Sequence, residues 1–313
     1  MKRRMLAAFL TAGALLMSAC GSTAPAAQES AAPAAQEETA EAPAAEEQAA
    51  EEPAAESETE AAAEASAEAP SEGAAEAEGQ YAQILSSGKM VAAMEGDWAP
   101  WSFHDVDSGE VVGFDADVAR AIGEKLGVEV EIVEAPWESL FAGLDSGRYD
   151  IVVNGVEFTE ERAAKYDFAT PYAYIRTALI VREDNEEIQT FKDLAGKKTV
   201  NSLASTYMTM AEEYGASAVG VSTLNDTLQN VLDGRADATL NATVSFYDYM
   251  REHPDAPLKI AAETEEASQV VIPIRKGEES FVMAVSDAVE ELRAEGKLAE
   301  LSEKYFGSDI TAE

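Results

Sequence analysis

The sequence predicts an α/β fold built in two similar halves, preceded by a long segment that cannot pack, and three observations carry that expectation. From Gln80 to the C-terminus, short apolar strand patterns alternate with amphipathic helical ones. The helical patterns end repeatedly at glycine, as at Gly127, Gly147, Gly215 and Gly234, where the left-handed backbone of a helix end favours a residue without Cβ. The texture restarts after Tyr172, which predicts two lobes joined by two crossings of the chain.

In chain order, Lys2, Arg3 and Arg4 precede an apolar run from Met5 to Met17. That run is too short for a membrane-spanning helix and suits the core of a signal peptide. It ends in Met17-Ser18-Ala19-Cys20-Gly21, which resembles a bacterial lipobox with Met where Leu is usual. The resemblance implies removal of residues 1–19 and lipidation of Cys20, with more than one acyl chain as durable anchoring requires. From Gly21 to Gly79 the composition reduces to Ala, Glu, Pro, Ser, Thr, Gln and Gly, without Lys, Arg, Val, Ile, Leu or any aromatic residue. Nothing there can form a core, and prolines with like-charge repulsion favour an extended tether over residues 20–79.

Lys89 to Met94 reads as a short strand. Phe114, Val118, Ile122 and Leu126 recur every four residues as the buried stripe of a helix. Val128, Val130 and Ile132 alternate with Glu129 and Glu131 as in a half-buried strand. Trp137 to Ser146 reads as a helix and Asp150 to Asn154 as a buried strand, so the first half is βαβαβ. In the second half Leu179 to Val181 and Thr199 to Asn201 are strand-like, and Ser205 is placed to cap a helix. Asn225 is expected to cap the next helix, with Leu228, Val231 and Leu232 inside it. Ala238 to Leu240 is a strand, followed by a helix ending before Pro254. Val270 to Ile274 reads as one strand, and Phe281, Val285, Val289 and Leu292 stripe a C-terminal helix.

Charge and composition remove whole classes of function. The chain carries 60 acidic and 22 basic side chains, a formal charge of -38, which repels phosphate and argues against a nucleic-acid partner. His104, His253 and Cys20 are its only histidines and cysteine, so no Cys/His metal cluster and no disulfide is expected, and no cofactor is called for.

Several motifs occur in order. They are Glu95-Gly96-Asp97-Trp98-Ala99-Pro100-Trp101-Ser102-Phe103, Val112-Gly113-Phe114-Asp115-Ala116-Asp117, Pro136-Trp137 and Ser146-Gly147-Arg148-Tyr149-Asp150. After them come Asn154-Gly155-Val156-Glu157-Phe158-Thr159-Glu160-Glu161-Arg162 and Tyr166-Asp167-Phe168-Ala169-Thr170-Pro171-Tyr172, then Ser205-Thr206 and Glu303-Lys304-Tyr305-Phe306-Gly307. Together they resemble the polar amino-acid solute-binding proteins of ABC importers, and look most similar to the cystine-binding members. The resemblance implies a two-lobed type II periplasmic-binding-protein fold with a two-strand hinge, one lobe from residues 80–174 and 267–313 and the other from 175–266. It also implies a monomer outside the cytoplasm, held to the cell membrane only through its lipid, that binds an amino acid and delivers it to the transmembrane permease subunits.

A free amino acid brings a carboxylate and an ammonium, and neither can be buried without a partner. Arg162 offers a planar fork that matches a carboxylate, and by its motif takes that role. A solvated arginine behind a Thr159 cap is what the residue types alone would suggest. Ser205 and Thr206 stand at a predicted helix start, where hydroxyls and free N–H groups can face an anion. By the resemblance, Gly155 offers its carbonyl to the ammonium, and Trp98 and Trp137 flank the ligand's body. Trp101 and Phe103 are read as packing.

The family's usual aspartate after the second-lobe strand is absent, since Ala242 stands in its stretch, while Glu157 occupies a position where Ser or Thr is usual. Glu157 is therefore expected to replace the lost acid. Alternatively it pairs with a cationic ligand side chain, together with Glu95, or it stands idle at the surface. Cystine, with two ammonium groups, suits two glutamates, and so do arginine, lysine and ornithine. A dehydratase-like enzyme on the same scaffold is the competing class, though no second catalytic group accompanies Glu157.

Overall fold

The computed structural model describes residues 77–312. The expected signal peptide, Cys20 and nearly all of the expected tether lie outside the described residues. The first helix, α1 (Gly79–Ser87), precedes β1 (Lys89–Met94) and a small antiparallel sheet of β2 (Asp97–Trp98), β3 (Ser102–His104) and β4 (Val111–Val112). Then come α2 (Phe114–Leu126), β5 (Glu129–Glu134), α3 (Trp137–Asp145) and β6 (Ile151–Val152). The three long-range strands pair in parallel in the order β5-β1-β6, the βαβαβ arrangement that the patterning predicts.

The predicted stripe of α2 is realised: Phe114, Val118 and Ile122 have no exposed surface. Gly127 ends the helix with φ 70°, and the Val128 N–H turns back to the Gly123 carbonyl at 2.9 Å. The chain continues through the single turn α4 (Glu160–Ala163), β7 (Tyr166–Phe168) and β8 (Ala173–Ile175).

The second lobe is a five-stranded sheet whose strands all lie between residues 177 and 263. It consists of β9 (Thr177–Arg182), β10 (Lys198–Ser202), β11 (Ser217–Val221), β12 (Ala238–Ala242) and β13 (Leu258–Glu263), in the order β11-β10-β12-β9-β13. It carries α5 (Thr206–Glu213), α6 (Leu224–Leu232) and α7 (Thr243–Glu252). The chain returns through β14 (Ser268–Val270) and β15 (Pro273–Arg275) to α8 (Glu279–Ala294) and α9 (Lys297–Phe306). At the crossing the two connections are tied together, with the Thr177 N–H bonded to Thr264 Oγ1 at 3.1 Å and the Thr264 N–H to the Thr177 carbonyl at 3.0 Å.

Some boundaries differ from expectation. Thr223, not Asn225, caps α6, its hydroxyl accepting the Asp226 N–H at 3.1 Å. The run Val270 to Ile274 is not one strand, because β14 pairs with β8 and β15 with β7. Ser217–Val221 and Leu258–Glu263 are strands that periodicity does not single out. The former is an edge strand with mostly exposed side chains, and the latter carries an irregularity between Ile260 and Ala262.

The wall that will matter below is an aromatic stack. Trp101 packs on Trp98 at 5.3 Å between ring centroids, on Phe114 at 5.8 Å and on Phe306 at 4.9 Å. α9 is fastened to α2 because Asp117 Oδ2 accepts from Lys304 Nζ at 2.8 Å and from the Tyr305 hydroxyl at 2.6 Å. Gly113 makes the close approach of α2 to this wall possible. Its φ is +125°, and a Cβ there would lie 2.3 Å from the Trp101 carbonyl oxygen, a backbone atom that cannot step aside. Gly113→Ala is therefore expected to cost roughly 2–4 kcal/mol of stability from backbone strain and overpacking together. Denaturant titration checks this, and a loss below about 1 kcal/mol would show that the wall can relax.

Candidate functional site

A cleft partly open to solvent lies between the two lobes. The C-terminal ends of β1 and β10, parallel strands of different sheets, lead into it, which is where open α/β sheets present ligand loops. All eight residues that the sequence singles out for binding line this cleft. Glu95, Trp98, Trp137, Gly155, Glu157 and Arg162 come from the first lobe. Ser205 and Thr206 face them from the second, joined by Tyr207 and Asn241.

Arg162 combines its two expected descriptions. Its backbone N–H is capped by the Thr159 hydroxyl at 3.1 Å, while its guanidinium reaches the cleft. Nη1 donates to the Glu157 carbonyl at 2.7 Å, and the group lies over Trp137 and Phe141 at 5.3 and 5.4 Å from their centroids. No carboxylate among the described residues lies within ion-pair distance of it, and burial lowers its pKa. A cation so placed is prepared for an anion brought from outside. Trp137 thus lies against the guanidinium and also lines the cleft.

On the facing wall, the Ser205 hydroxyl accepts the Met208 N–H at 3.1 Å and donates to the Ser202 carbonyl at 2.7 Å. It is occupied in capping α5 and is not free for a ligand. The remaining anion-binding capacity of this helix start is in the first-turn N–H groups of Thr206 and Tyr207, for which no side-chain acceptor is found among the described residues.

Glu157 is buried, and its Oε1 accepts the Thr206 hydroxyl across the cleft at 2.5 Å. It is not an idle surface glutamate. The Tyr207 hydroxyl lies beside the Glu157 carboxylate and the backbone of Ala242. Burial, then the charge of Glu157, pushes that phenol well above its usual pKa. It makes no well-formed hydrogen bond among the described residues. Ala242 is itself fully buried, and its backbone and the Glu157 carboxylate have the Tyr207 hydroxyl as a common neighbour.

Glu95 closes the inner end. Its Oε2 accepts from Asn154 Nδ2 at 2.8 Å, and its backbone N–H donates to Asn154 Oδ1 at the same distance. Burial pushes its pKa up to about 7, and the neighbouring charges of Asp97 and Glu138 add to the rise. Trp98 covers Gly155, whose φ is +55° and where a Cβ would lie 2.7 Å from the indole ring. Trp101 is packing, as expected, and also donates its Nε1 proton to Ser245 Oγ on α7 at 2.9 Å, a buried bond between the lobes. Phe103 meets Tyr305 edge-on at 6.4 Å. Tyr207, Asn241 and Asp97 escape sequence reasoning, and only the position of Tyr207 one residue past Thr206 at a helix start could have signalled it.

Known proteins are similar to this chain in sequence and fold. The L-cystine-binding protein TcyA of Bacillus subtilis is 34% identical over 231 residues, 74% of this chain and 86% of TcyA. The L-cystine solute receptor of Neisseria gonorrhoeae in its unliganded open conformation is 37% identical, with a TM-score of 0.54, and the match covers 75% of this chain and all of the receptor. The amino-acid ABC transporter substrate-binding protein AbpA of Streptococcus pneumoniae, bound to L-arginine, is 29% identical but scores 0.67, over 74% of this chain and 100% of AbpA. The fold is the type II periplasmic-binding-protein fold, and with a match running from residue 90 to residue 308 the chain belongs to family 3 of the bacterial extracellular solute-binding proteins.

Proposed function

We propose that this chain captures a polar amino acid in the cleft and delivers it to the permease of an ABC importer. In this reading residues 80–174 and 267–313 form one jaw, residues 175–266 form the other, and a lipid on Cys20 holds the molecule to the cell membrane. The observation that carries the reading is the Arg162 guanidinium, half-buried over Trp137 and Phe141 without an ion-paired carboxylate among the described residues and with α5 starting on the opposite wall. The ligand's carboxylate fits between them, where low local polarity strengthens each contact. The ammonium then falls to Glu157 and the Gly155 carbonyl, so that the counter-ion comes from the first lobe in place of the aspartate absent at Ala242.

Cystine is the favoured ligand. The cystine-binding relatives support it, and Glu157 with Glu95 offers one carboxylate for each of its ammonium groups. Arginine, lysine or ornithine is the second reading, favoured by the excess of acid in the cleft, where Glu95, Asp97 and Glu157 stand against the single cation Arg162. Binding without turnover is the reading for Glu157, whose carboxylate is already engaged by Thr206. An assay with prephenate and arogenate that yields product would replace it with the enzyme.

Calorimetry of the purified protein against the common amino acids, ornithine and cystine tests the proposal, and no saturable binding of any of them rejects it. Arg162→Ala is expected to weaken the ligand that binds by roughly 2–5 kcal/mol, the usual loss when one partner of a buried charge pair is removed. A change below about tenfold, or 1.4 kcal/mol, would move the carboxylate elsewhere. Glu157→Gln is expected to cost at least about tenfold in Kd, and an unchanged Kd would leave the ammonium to Gly155 alone.

Glu95 gives a pH signature. A second cation on the ligand needs the carboxylate form, which is depleted below a pKa of about 7. Affinity for such a ligand should therefore climb by up to about tenfold per unit as pH rises toward 7 and level off above it. Kd measured as a function of pH checks this, with Glu95→Gln expected to flatten the profile.

A further inference from the structure

Behind the ligand loop runs a buried polar chain that the binding reading leaves unused. Asp115, in the first turn of α2, has no exposed surface. Its Oδ1 accepts the Tyr172 hydroxyl at 2.7 Å, and the Tyr172 oxygen in turn accepts the Gly155 N–H at 3.2 Å. Oδ2 has no partner among the described residues. The Gly155 N–H can only donate, so the Tyr172 oxygen is its acceptor, and with Asp115 ionised the Tyr172 proton goes to Oδ1. Tyr172 is held in place by stacking on Phe114 at 5.9 Å.

Gly155 is gripped from the other side as well. Its left-handed φ of +55° and the indole of Trp98 leave its peptide little room, and its carbonyl accepts no hydrogen bond among the described residues. The groups that face Asp115 are the Tyr172 hydroxyl, the Gly155 N–H and the carboxylate of Glu95 at the end of β1. Burial, with a smaller contribution from the charge of Glu95, pushes its carboxyl up to about 8.

We infer that Asp115, acting through the Tyr172 hydroxyl, is a positioning residue that locks the Gly155 peptide with its unpartnered carbonyl reserved for the ligand's ammonium. The identity of the ligand group rests on the amino-acid reading above, whereas the lock does not. Without Asp115 the Tyr172 hydroxyl can rotate, and the Gly155 N–H loses a directed acceptor.

Amide exchange in protein labelled with ¹⁵N-glycine tests this without any ligand. In Tyr172→Phe, a near-isosteric change, the Gly155 amide is expected to exchange about tenfold faster relative to the glycine amides elsewhere in the chain, the value of one net hydrogen bond. In Asp115→Ala the same loss is expected, and Asp115→Asn, which keeps an oxygen at the Oδ1 place, should restore most of the protection. The Gly155 amide shift should titrate with a midpoint of about 8 in the native chain and not in Asp115→Asn. Equal relative exchange in Tyr172→Phe overturns the lock, and an identical titration in Asp115→Asn overturns the role of Asp115. Kd for L-cystine and L-arginine, measured on the same variants, separates the two ideas. Binding that survives with Gly155 unlocked rejects the positioning role but not the function, and a lock without any binding rejects the function but not the lock.

Discussion

A half-buried guanidinium without an ion-paired carboxylate is the constraint around which the cleft is organised. Desolvating Arg162 beside Trp137 and Phe141 is unfavourable, and the charge of Glu157 offsets it only in part. Glu157 gives Arg162 only its backbone carbonyl and directs its carboxylate across the cleft to Thr206. The two groups are near enough to feel each other's charge but form no direct ion pair. A zwitterion needs that separation, and an ion pair within the protein would have cancelled it.

The same separation explains why the two lobes must cooperate. The first lobe supplies the charged side chains, Arg162, Glu157 and Glu95. The second supplies the start of α5 and the hydroxyls of Thr206 and Tyr207. Neither wall can satisfy a ligand alone, so ligand contacts favour the closed arrangement over the open one by whatever the second wall adds. The Trp101 to Ser245 bond gives closure a fixed polar contact away from the charged groups.

Much of the fold was legible because its signals are local. A stripe such as Phe114, Val118, Ile122 followed by Gly127 states a helix and its end in consecutive residues. Lys89 to Met94 is bounded as a strand by its apolar run alone. The missed strands failed for physical reasons: Ser217–Val221 buries little on an edge, and Val270 to Ile274 is apolar throughout yet is divided between two partners that only tertiary structure supplies. The cleft residues were readable through their motifs, but their couplings were not. That Ser205 would be occupied by its own cap, that Trp137 would turn to Arg162, and that Asp115 would stand behind Gly155 depend on contacts between distant segments. Such contacts leave no periodicity in the sequence.

The fastening of α9 to α2 bears on the order in which the molecule can be completed. Every strand of the second sheet is present once residue 263 has been made, whereas the wall beneath Trp98 waits for Lys304, Tyr305 and Phe306. The first lobe is therefore complete only with the last residues of the chain in place. A chain cut short before the last helix keeps every strand of the second sheet and leaves Trp101 and Phe114 without their contact to Phe306.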